Sequence, residues 1–504
     1  MVKKYLKSSE LGVIEFDKKY PIKLYKCLSK YYNIRESSIR FYFPYIEYFS
    51  QEDKLIDYDS RFNNIYSLVD ILDISKIIDE NNIKFTGVVN KHNCEFSTEI
   101  VIKRMPILSF ENIMLLKKHI KKKEKNIFLP SQPLVPFGKL SSFYNSTYIE
   151  TMVSYITSKL IEKNICPHFP YFYGYCIFNE NESLYNITDD IDKLDGYSWF
   201  SENETSTFYK KHGYELLYKP DFNNCGFESD NDSNNESDND SNNESDNDSD
   251  NDSNNESDNE SDNESDNESD IQTYVVVNNS PVQLKFSEYC GKDNIDGRIK
   301  FTEKEWESII FQVMYTLYVT WSYFKLTHND LHLGNILFKQ TNDKYLYYKI
   351  EGKFYKIPTY GYIVKIIDWN RSTFCINGTY FKNECFDRDG ECYGQFIFPE
   401  NYYYCKNTIL PNEHSDLALL ASSIIDEGNI DEDTKIYELI KGWCTNKYGV
   451  CIPNKYSKFD MYKESSKCKN SNPKNLFNSP VFSQYRINEN MISSNIQVYD
   501  ILRE

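Results

Sequence analysis

The sequence lacks a cysteine pattern for disulfides or metal binding, a secretion signal and a membrane-spanning segment. Its 13 cysteines contain no C-x-x-C pair and no metal-ligand spacing, which favours reduced thiols in a cytoplasmic protein over a disulfide framework. Residues 1–13 have no apolar run of the kind that directs secretion. No stretch of about 18 apolar residues is present either, so we expect no membrane span and no membrane partner.

Basic residues are missing from one segment, 228–270. It consists only of Glu, Ser, Asp and Asn, with 19 acidic residues, and leaves 57 acidic against 57 basic residues in the rest of the chain. The net charge of −19 therefore comes from this segment alone. Because it has no apolar side chain to bury, we predict a disordered insertion at a surface turn between two strands, with candidates in "GYELLYKP" before it and "TYVVVNN" or "PVQLKF" after it.

The chain as a whole has the composition of a globular protein. Its 504 residues, 40% apolar and 16% aromatic, can form the cores of two or three domains. The segment "TEKEWESIIFQVMYTLYVTWSYFK" has apolar residues at the helical period, and Thr302 with Glu305 three residues later predicts a capping box at its start. The next stretch, "THNDLHLGNIL" at 327–337, is therefore predicted to lie in a loop.

This loop carries Asp330 and Asn335, and a β-branched strand, "YIVKIID", ends at Asp368. Taken alone, the loop needs only generic turn residues. Two neighbouring strands, however, can bring these three oxygen ligands to one place. Mg²⁺ on a nucleotide prefers a few hard oxygen ligands with room for phosphate oxygens. The pattern therefore predicts a phosphoryl-transfer site.

Phosphoryl transfer also needs a cation on the phosphates and a group that holds this cation in place. Lys103 lies near the end of the alternating strand "STEIVIKRM", and Glu150 is predicted in the first turn of a helix that starts at Ser146 or Thr147. Taken singly, Lys103 is a solvated strand lysine and Glu150 is an acid favoured by the helix dipole. Lys103 and Glu150 precede the loop and Asp368 along the chain, and this order favours a role in phosphoryl transfer over these structural roles.

From about residue 70 to the C-terminus, the chain resembles the protein kinase superfamily. "HNDLHLGN" is similar to the catalytic loop of that family, "KIIDWN" stands where its metal-binding D-F-G lies, and "IVIK" resembles its V-A-I-K strand. "LKFSEYCG", at 284–291, resembles the hinge between the two lobes. "HSDLALLASSI" resembles the helix whose aspartate, here Asp416, braces the catalytic loop.

The resemblance implies an α+β, bilobal protein-kinase-like fold, with a small β-rich lobe that holds one main helix and a larger, mainly helical lobe. The implied domains are an N-terminal extension of unknown role at 1–69, a small lobe at 70–286 with the insertion 228–270, and a large lobe with the catalytic loop at 287–504.

The resemblance also implies roles for single residues. Asp330 would accept the proton of the acceptor hydroxyl, and Asn335 and Asp368 would hold Mg²⁺. Lys103 would contact the ATP phosphates and be positioned by Glu150. The other residues expected around ATP are Gly87, Val88, Glu288, Cys290 and Leu337.

Two histidines of the loop remain. His328 is expected to be structural. His332 occupies the position of a lysine in serine/threonine kinases, so a hydrogen bond to the transferred phosphate and a plain surface role stay equally open.

The chain departs from the family pattern at two motifs. "IIDENNIKFTGVV" keeps only Gly87 of a glycine-rich loop, which lowers the expected ATP affinity. "DWN" replaces D-F-G, which removes a glycine hinge and is expected to fix Asp368 in one orientation. No A-P-E triplet follows.

In the catalytic loop, D-L-H at 330–332 replaces the usual D-x-K. This variant is similar to the loops of haspin-like protein kinases and of choline- and aminoglycoside-kinase-like phosphotransferases. The hairpin "YYKIEGKFYKIPTYGYIVKIIDW" is haspin-like, and similar insertions occur in kinase-like proteins of giant DNA viruses, which would imply the host cytoplasm or the virion. A serine/threonine-protein kinase that uses ATP and Mg²⁺ ranks first, a small-molecule phosphotransferase second, and a silent kinase-fold scaffold third.

The expected partners are ATP and a protein substrate. The segment 117–125 holds six lysines, which we interpret as a solvated face. Its alternatives are nucleic-acid binding and contact with the acidic segment 228–270. A nucleic-acid partner is not expected.

Overall fold

The structure is a computed structural model that describes most of residues 16–45, 61–113, 138–194, 273–291, 301–400 and 408–501, together with 214–218. The segments 117–125 and 228–270 and part of 1–69 lie outside the described residues, so their interpretations stay predictions. The described residues have the mixed α+β content that the sequence predicts.

The helices and strands follow one another along the chain. In order they are β1 Phe16–Asp17, α1 Ile22–Tyr31, β2 Arg61–Phe62, β3 Tyr66–Ile77, β4 Asn82–Lys91, β5 Cys94–Pro106, α2 Ser146–Glu162, β6 Phe172–Glu180, β7 Ser183–Asn186, β8 Tyr214–Tyr218, β9 Thr273–Val277, β10 Ser280–Glu288, α3 Glu303–Phe324, β11 Ile336–Gln340, β12 Tyr345–Ile350, β13 Lys353–Pro358, β14 Tyr362–Ile366, β15 Phe374–Ile376, β16 Thr379–Phe381, α4 Ser415–Glu427, α5 Lys435–Trp443, α6 Lys458–Ser465, α7 Pro473–Leu476, α8 Pro480–Ser483, β17 Arg486–Ile487 and β18 Val498–Asp500.

The chain divides into two compact units, Met1–Glu180 with Asn279–Glu504, and Asn181–Asn278. In the second unit β8 pairs antiparallel with β9, and Tyr218 lies opposite Thr273. The predicted strands on either side of 228–270 are therefore confirmed. The two lobes and their boundaries stay predictions. Of the helices in the described ranges, none combines the length and the apolar character that a membrane crossing requires.

A five-stranded antiparallel sheet in the order β3-β4-β5-β10-β6 organises the first unit. Successive side chains of a strand point to opposite faces. On β5, Ile100 and Ile102 are buried in the core beside the sheet, so Lys103 lies on the other face. On β10, Leu284 and Phe286 lie in the same core, which leaves Lys285 on the face that carries Lys103.

Helix α2 packs on this unit with most of its surface buried. It begins at Ser146, but its cap is Asn145, whose side-chain oxygen accepts a hydrogen bond from the Thr147 amide at 3.0 Å. The prediction for Glu150 was wrong in one respect: the residue lies in the second turn and is only 1% exposed. A charge buried to this extent acts through its partners and not through the helix dipole.

The predicted capping box at the start of α3 is confirmed. The Glu305 amide donates to Thr302 Oγ1 at 3.3 Å, and the Thr302 amide donates to Glu305 Oε2 at 2.9 Å. The helix ends at Phe324, and the residue that caps it, Lys325, has a left-handed backbone with φ of 49°. The segment 327–335 then follows as a loop, as predicted.

Two strand pairs after this loop bring its end close to Asp368. β11 pairs antiparallel with β14, so that Ile336 lies opposite Ile366. The Ile367 amide donates to the Asn335 carbonyl oxygen at 3.0 Å. The predicted hairpin between them is also confirmed, since β12 and β13 pair around a turn at Glu351 and Gly352.

Candidate active site

A cavity of about 310 Å³ lies on the face of the sheet that carries Lys103. The residues expected to bind ATP line it in large part, namely Lys103, Glu150, Glu288, Cys290, Leu337 and Asp368. Gly334 lines the cavity as well, whereas Asp330 and Asn335 lie in the same loop and do not. The cavity is large enough for a small organic ligand.

The prediction that Gly87 and Val88 belong to this site was wrong. They lie in the middle of β4, where Gly87 is opposite Thr98. A Cβ atom at Gly87 would come within 2.8 Å of the Leu68 and Ile100 side chains, so the glycine serves close packing. A single glycine within a strand-like run therefore did not identify the turn that faces the cavity.

The turn that lines the cavity is the one between β3 and β4, through Asp79 and Asn82. Asp79 Oδ1 accepts hydrogen bonds from the amides of Asn81 and Asn82, both at 2.8 Å. A glycine-rich loop leaves such amides open to phosphate oxygens. Here a side chain of the turn already occupies them. The turn signal "DENN" between two strand-like runs could have identified this position.

Three charged side chains meet beside the cavity. Lys103 Nζ lies 3.0 Å from each carboxylate oxygen of Glu150 and 2.8 Å from Asp368 Oδ1. Burial alone would raise the pKa of Asp368, but the adjacent Lys103 ammonium outweighs it and lowers the pKa to about 2. Burial opposes the charge of Lys103, yet Asp368 and Glu150 raise the pKa of its ammonium above the ordinary value.

A second lysine joins this group, and the sequence interpretation missed it. Lys285 Nζ lies 2.5 Å from Glu150 Oε1, and its side chain also lines the cavity. Lys285 and Lys103 are directly opposite on β10 and β5. The alternation of "LKFSE" puts Lys285 and Ser287 on one face, so the period of the strand was the signal that could have found it.

Trp369 fixes the backbone next to Asp368. Its side chain is buried, its Nε1 donates to the Ile366 carbonyl at 3.2 Å, and its ring centroid lies 4.6 Å from that of His328. Asp368 itself has a left-handed backbone with φ of 61°. Aspartate tolerates this conformation better than most residues. The packing of Trp369 therefore anchors the backbone beside Asp368, and the single orientation expected from the loss of the glycine hinge stays a prediction.

The loop 327–335 is braced from below by Asp416. Its two carboxylate oxygens accept hydrogen bonds from the amides of His328 at 2.8 Å and Asn329 at 2.9 Å. His328 is fully buried, and its Nε2 lies 2.8 Å from the Ile367 carbonyl oxygen. The position of His328 agrees with the structural role that the sequence predicts.

Asp330 has two partners that sequence reasoning did not find. Its Oδ1 accepts a hydrogen bond from the Tyr462 hydroxyl at 2.8 Å and lies 3.2 Å from Arg371 Nη1. Tyr462 is on α6, 132 residues away along the chain. Burial and the Asp330 charge together raise the pKa of Tyr462 above its usual range, so its hydroxyl stays protonated as a donor. Only the tertiary structure brings these groups together.

The other polar residues of the loop bind one another. Asn335 Nδ2 donates to the Asp330 carbonyl oxygen at 2.9 Å and lies 3.1 Å from His332 Nε2. His332 Nδ1 accepts a hydrogen bond from the Gly334 amide at 3.2 Å. His332 is thus engaged within the loop, which favours the plain loop role of the two that the sequence left open.

Asn335 and Asp368 offer too few oxygen atoms to bind a metal ion alone. They fit a hard divalent cation that takes its other ligands from phosphate and water. Within the described ranges, no cluster of three or more His, Cys, Asp or Glu side chains could hold a metal ion. Asn335 Oδ1 and the Asp368 carboxylate supply two oxygen donors at the ends of the paired strands β11 and β14. Mg²⁺ is usually held by one or two such groups together with phosphate oxygens and water.

The segment expected to be a hinge also lines the cavity. The Glu288 carboxylate forms ion pairs with Lys365, at 3.2 Å, and with Lys339. Although burial alone would raise the pKa of Glu288, these lysines lower it to about 2. Cys290 Sγ lies 3.6 Å from the Glu288 carbonyl oxygen, and burial raises the pKa of its thiol to about 12. Cys290 is therefore not suited to act as a nucleophile.

Gly291 ends this segment with φ of 105°, and a Cβ atom there would come within 2.8 Å of the Phe338 carbonyl oxygen. Glycine is thus required where the segment passes β11.

No protein-family model matches the chain. A segment of 66 residues is 44% identical to the serine/threonine-protein kinase haspin of Mus musculus, and it covers 13% of this chain and 9% of that protein. A segment of 88 residues is 38% identical to a probable serine/threonine-protein kinase of Dictyostelium discoideum, with 16% and 7% covered. A segment of 85 residues is 35% identical to the serine/threonine-protein kinase haspin homolog of Arabidopsis thaliana, with 17% and 14% covered.

These local similarities support a kinase-like relationship. The chain spans no more than 14% of the length of the three relatives. A sheet covered by a helix with a lysine–glutamate pair, followed by a braced loop, fits that relationship.

Proposed function

We propose that the protein transfers the terminal phosphoryl group of ATP, with Mg²⁺, to serine or threonine hydroxyls of proteins. The observation that supports this most is the ion-pair group beside the cavity, in which Lys103 lies 3.0 Å from Glu150 and 2.8 Å from Asp368. Phosphoryl transfer depends mainly on positioned charge and needs little covalent chemistry from the protein. The local similarity to proteins named serine/threonine-protein kinases supports a protein acceptor.

Binding would rest on Lys103, Glu150 and Asp368, which line the cavity, and on Asn335 in the adjacent loop. Lys103 would contact the α and β phosphates, and the buried Glu150 would hold its ammonium in place. Asn335 and Asp368 would hold Mg²⁺, which when bound would neutralise part of the phosphate charge. The backbone of residues 288–290 would lie along the base, as a hinge does in the family that the chain resembles.

The chemical step would rest on Asp330. Its Oδ1 accepts a hydrogen bond from the Tyr462 hydroxyl at 2.8 Å, so this oxygen is placed to accept from a hydroxyl group. An acceptor hydroxyl would replace Tyr462 there. Asp330 would receive the hydroxyl proton while the oxygen bonds to the terminal phosphorus and the bond to the diphosphate leaving group breaks. Arg371 and the bonds from Asp416 to the loop would keep the carboxylate in place.

The test is incubation with γ-labelled ATP and Mg²⁺, in one arm with a mixture of proteins and in another with small alcohols such as choline. We expect label on serine or threonine of protein in the first arm and its loss in Lys103→Met. Label on small alcohols alone would favour a small-molecule phosphotransferase. Failure of the wild-type protein to bind Mg²⁺-ATP or to transfer phosphate to any acceptor would contradict the proposal.

A further inference from the structure

Lys285 is a buried lysine without a part in the proposed transfer. It is 9% exposed, and its ammonium lies 2.5 Å from Glu150 Oε1 and 3.4 Å from Ser154 Oγ. Glu150 therefore carries two lysines at once, since Lys103 lies 3.0 Å from each of its oxygens. The arrangement raises the question of why one carboxylate needs two cations.

The sheet itself disfavours this arrangement. Lys103 and Lys285 are directly opposite on antiparallel strands, where like charges repel. Burial also opposes the charge of Lys285 and lowers the pKa of its ammonium. An apolar side chain would fill the same place without either cost. The local structure alone therefore gives no reason for a lysine at position 285.

The proposed function supplies a reason. Lys103 is bound on three sides, by both oxygens of Glu150 and by Asp368. A phosphate ligand would take hydrogen bonds from the Lys103 ammonium, so its contact with Glu150 would shrink from two carboxylate oxygens to one, Oε2. Glu150 is 1% exposed, and a buried carboxylate whose ion pairing is weakened is disfavoured. A second cation that stays on Glu150 removes this penalty.

We propose that Lys285 is a positioning residue: it neutralises Oε1 of Glu150, so that Glu150 holds Lys103 through Oε2 while Lys103 contacts the phosphates of the bound nucleotide. This inference rests on the proposed function. It assigns to Lys285 a contact with Glu150 and Ser154 and not with the ligand. The geometry of Glu150 suits the division, because Lys285 contacts Oε1 only and Oε2 remains for Lys103.

The first experiment measures nucleotide affinity by calorimetry with ATP and Mg²⁺ for Lys285→Met and Lys285→Arg. We expect the Met variant to bind about tenfold more weakly, because both oxygens of Glu150 then compete with phosphate for Lys103, and the Arg variant to regain most of the loss. Arg104→Met is the matched control, since Arg104 is the next residue on β5 and forms an ion pair with Glu180 at 2.7 Å. This control should lower the thermal midpoint and leave the affinity unchanged.

The outcomes separate the two claims. Binding by the wild-type protein and equal binding by Lys285→Met would overturn the role of Lys285 and leave the proposed function in place. A wild-type protein that binds no nucleotide would overturn the proposed function and this inference with it.

A second experiment needs no nucleotide. We expect Lys103→Met and Lys285→Met each to remain folded, because one cation stays on Glu150, and the double variant to lose more stability than the two single losses added together. Adding Glu150→Gln to the double variant should restore folding, since a neutral amide needs no counter-ion. Additive losses, or no recovery with Glu150→Gln, would overturn the inference.

Discussion

Two walls of the same cavity are held together by different kinds of contact, one within a single turn and the other between segments that are far apart in the chain. The turn wall, formed by Ile78, Asp79 and Asn82, is closed by one of its own side chains, since Asp79 binds the amides two and three residues further along the chain. The ion-pair wall, formed by Lys103, Glu150 and Asp368, joins residues 47 and 265 positions apart in the chain. The comparison teaches that the first wall can change without disturbing the core, whereas the charges of the second depend on one another.

This difference assigns different tasks to the walls. Buried charges with partners far along the chain keep a fixed geometry, and fixed geometry is what charge stabilisation of a transfer reaction requires. A turn that satisfies its own amides offers less to a phosphate. We therefore expect the ion-pair wall and the adjacent catalytic loop to determine whether transfer occurs, and the turn wall to adjust only how tightly nucleotide binds.

The largest effect is expected beside the ion-pair wall, from Asp330→Asn. An amide cannot accept the proton of the acceptor hydroxyl, so transfer should fall by a factor of about 10² to 10⁴. Binding of ATP with Mg²⁺ should change little, because Asp330 does not line the cavity. Phosphate transfer and calorimetry measure the two quantities separately. Transfer at the wild-type rate would remove Asp330 from the mechanism.

The brace under the loop should have the next largest effect. Asp416→Ala leaves the buried amides of His328 and Asn329 without their acceptors, and each such group costs about 1 to 3 kcal/mol. We expect the free energy of unfolding in urea to fall by roughly 2 to 4 kcal/mol. Asp416→Asn keeps one acceptor and should lie between this variant and the wild type. Equal stability of all three proteins would show that other contacts hold the loop.

The metal half of the ion-pair wall is tested by Asp368→Asn. A neutral amide does not balance the charge of a divalent cation, so the gain in ATP affinity on adding Mg²⁺ should shrink about tenfold. Binding of ATP without Mg²⁺ should be kept, because Lys103 then has one carboxylate fewer to compete for it. The measurement is the thermal shift with ATP in the presence and absence of Mg²⁺. An unchanged Mg²⁺ effect would place the cation elsewhere.

Sequence reasoning reached the ion-pair wall because its residues stand in short patterns of fixed local structure. "IVIK" predicts a strand that presents Lys103, and "KIIDWN" a strand that ends at Asp368, so their order along the chain was enough to associate them. The same reasoning missed Tyr462 and Arg371 at Asp330. Their contacts follow from how α6 and the segment after Asp368 pack, and no local pattern records that packing.

At the turn wall, by contrast, sequence reasoning assigned to the site a residue that does not line it. Gly87 was assigned to a phosphate loop because glycine permits such a loop, but in this chain the glycine makes room for Leu68 and Ile100 within β4. The start of α2 at Ser146 is one of the two that the sequence predicts, but its cap was not identified, since Asn145, Ser146 and Thr147 all suit a helix cap and only the observed hydrogen bond selects Asn145. Residue preferences limit the candidates for a turn or a helix cap, and the contacts in the folded chain determine which candidate is used.

The smallest effect is expected in the turn wall, from Asp79→Ala. The variant releases the amides of Asn81 and Asn82, which the carboxylate now binds at 2.8 Å, and makes them available to phosphate oxygens. We expect ATP to bind about two- to threefold more tightly, with no change in the free energy of unfolding beyond that of a surface substitution. Calorimetry with ATP and Mg²⁺ measures the gain.

Asp79→Asn distinguishes the two physical causes of that gain. The asparagine oxygen can still accept from both amides, whereas the negative charge is gone. If the occupied amides limit binding, Asp79→Asn should bind ATP like the wild type and only Asp79→Ala should gain. Equal gains in both variants would show that the charge of Asp79, and not its hydrogen bonds, repels the phosphates. No gain in either would mean that the turn wall does not reach the nucleotide, and the contrast between the two walls would lose its functional meaning.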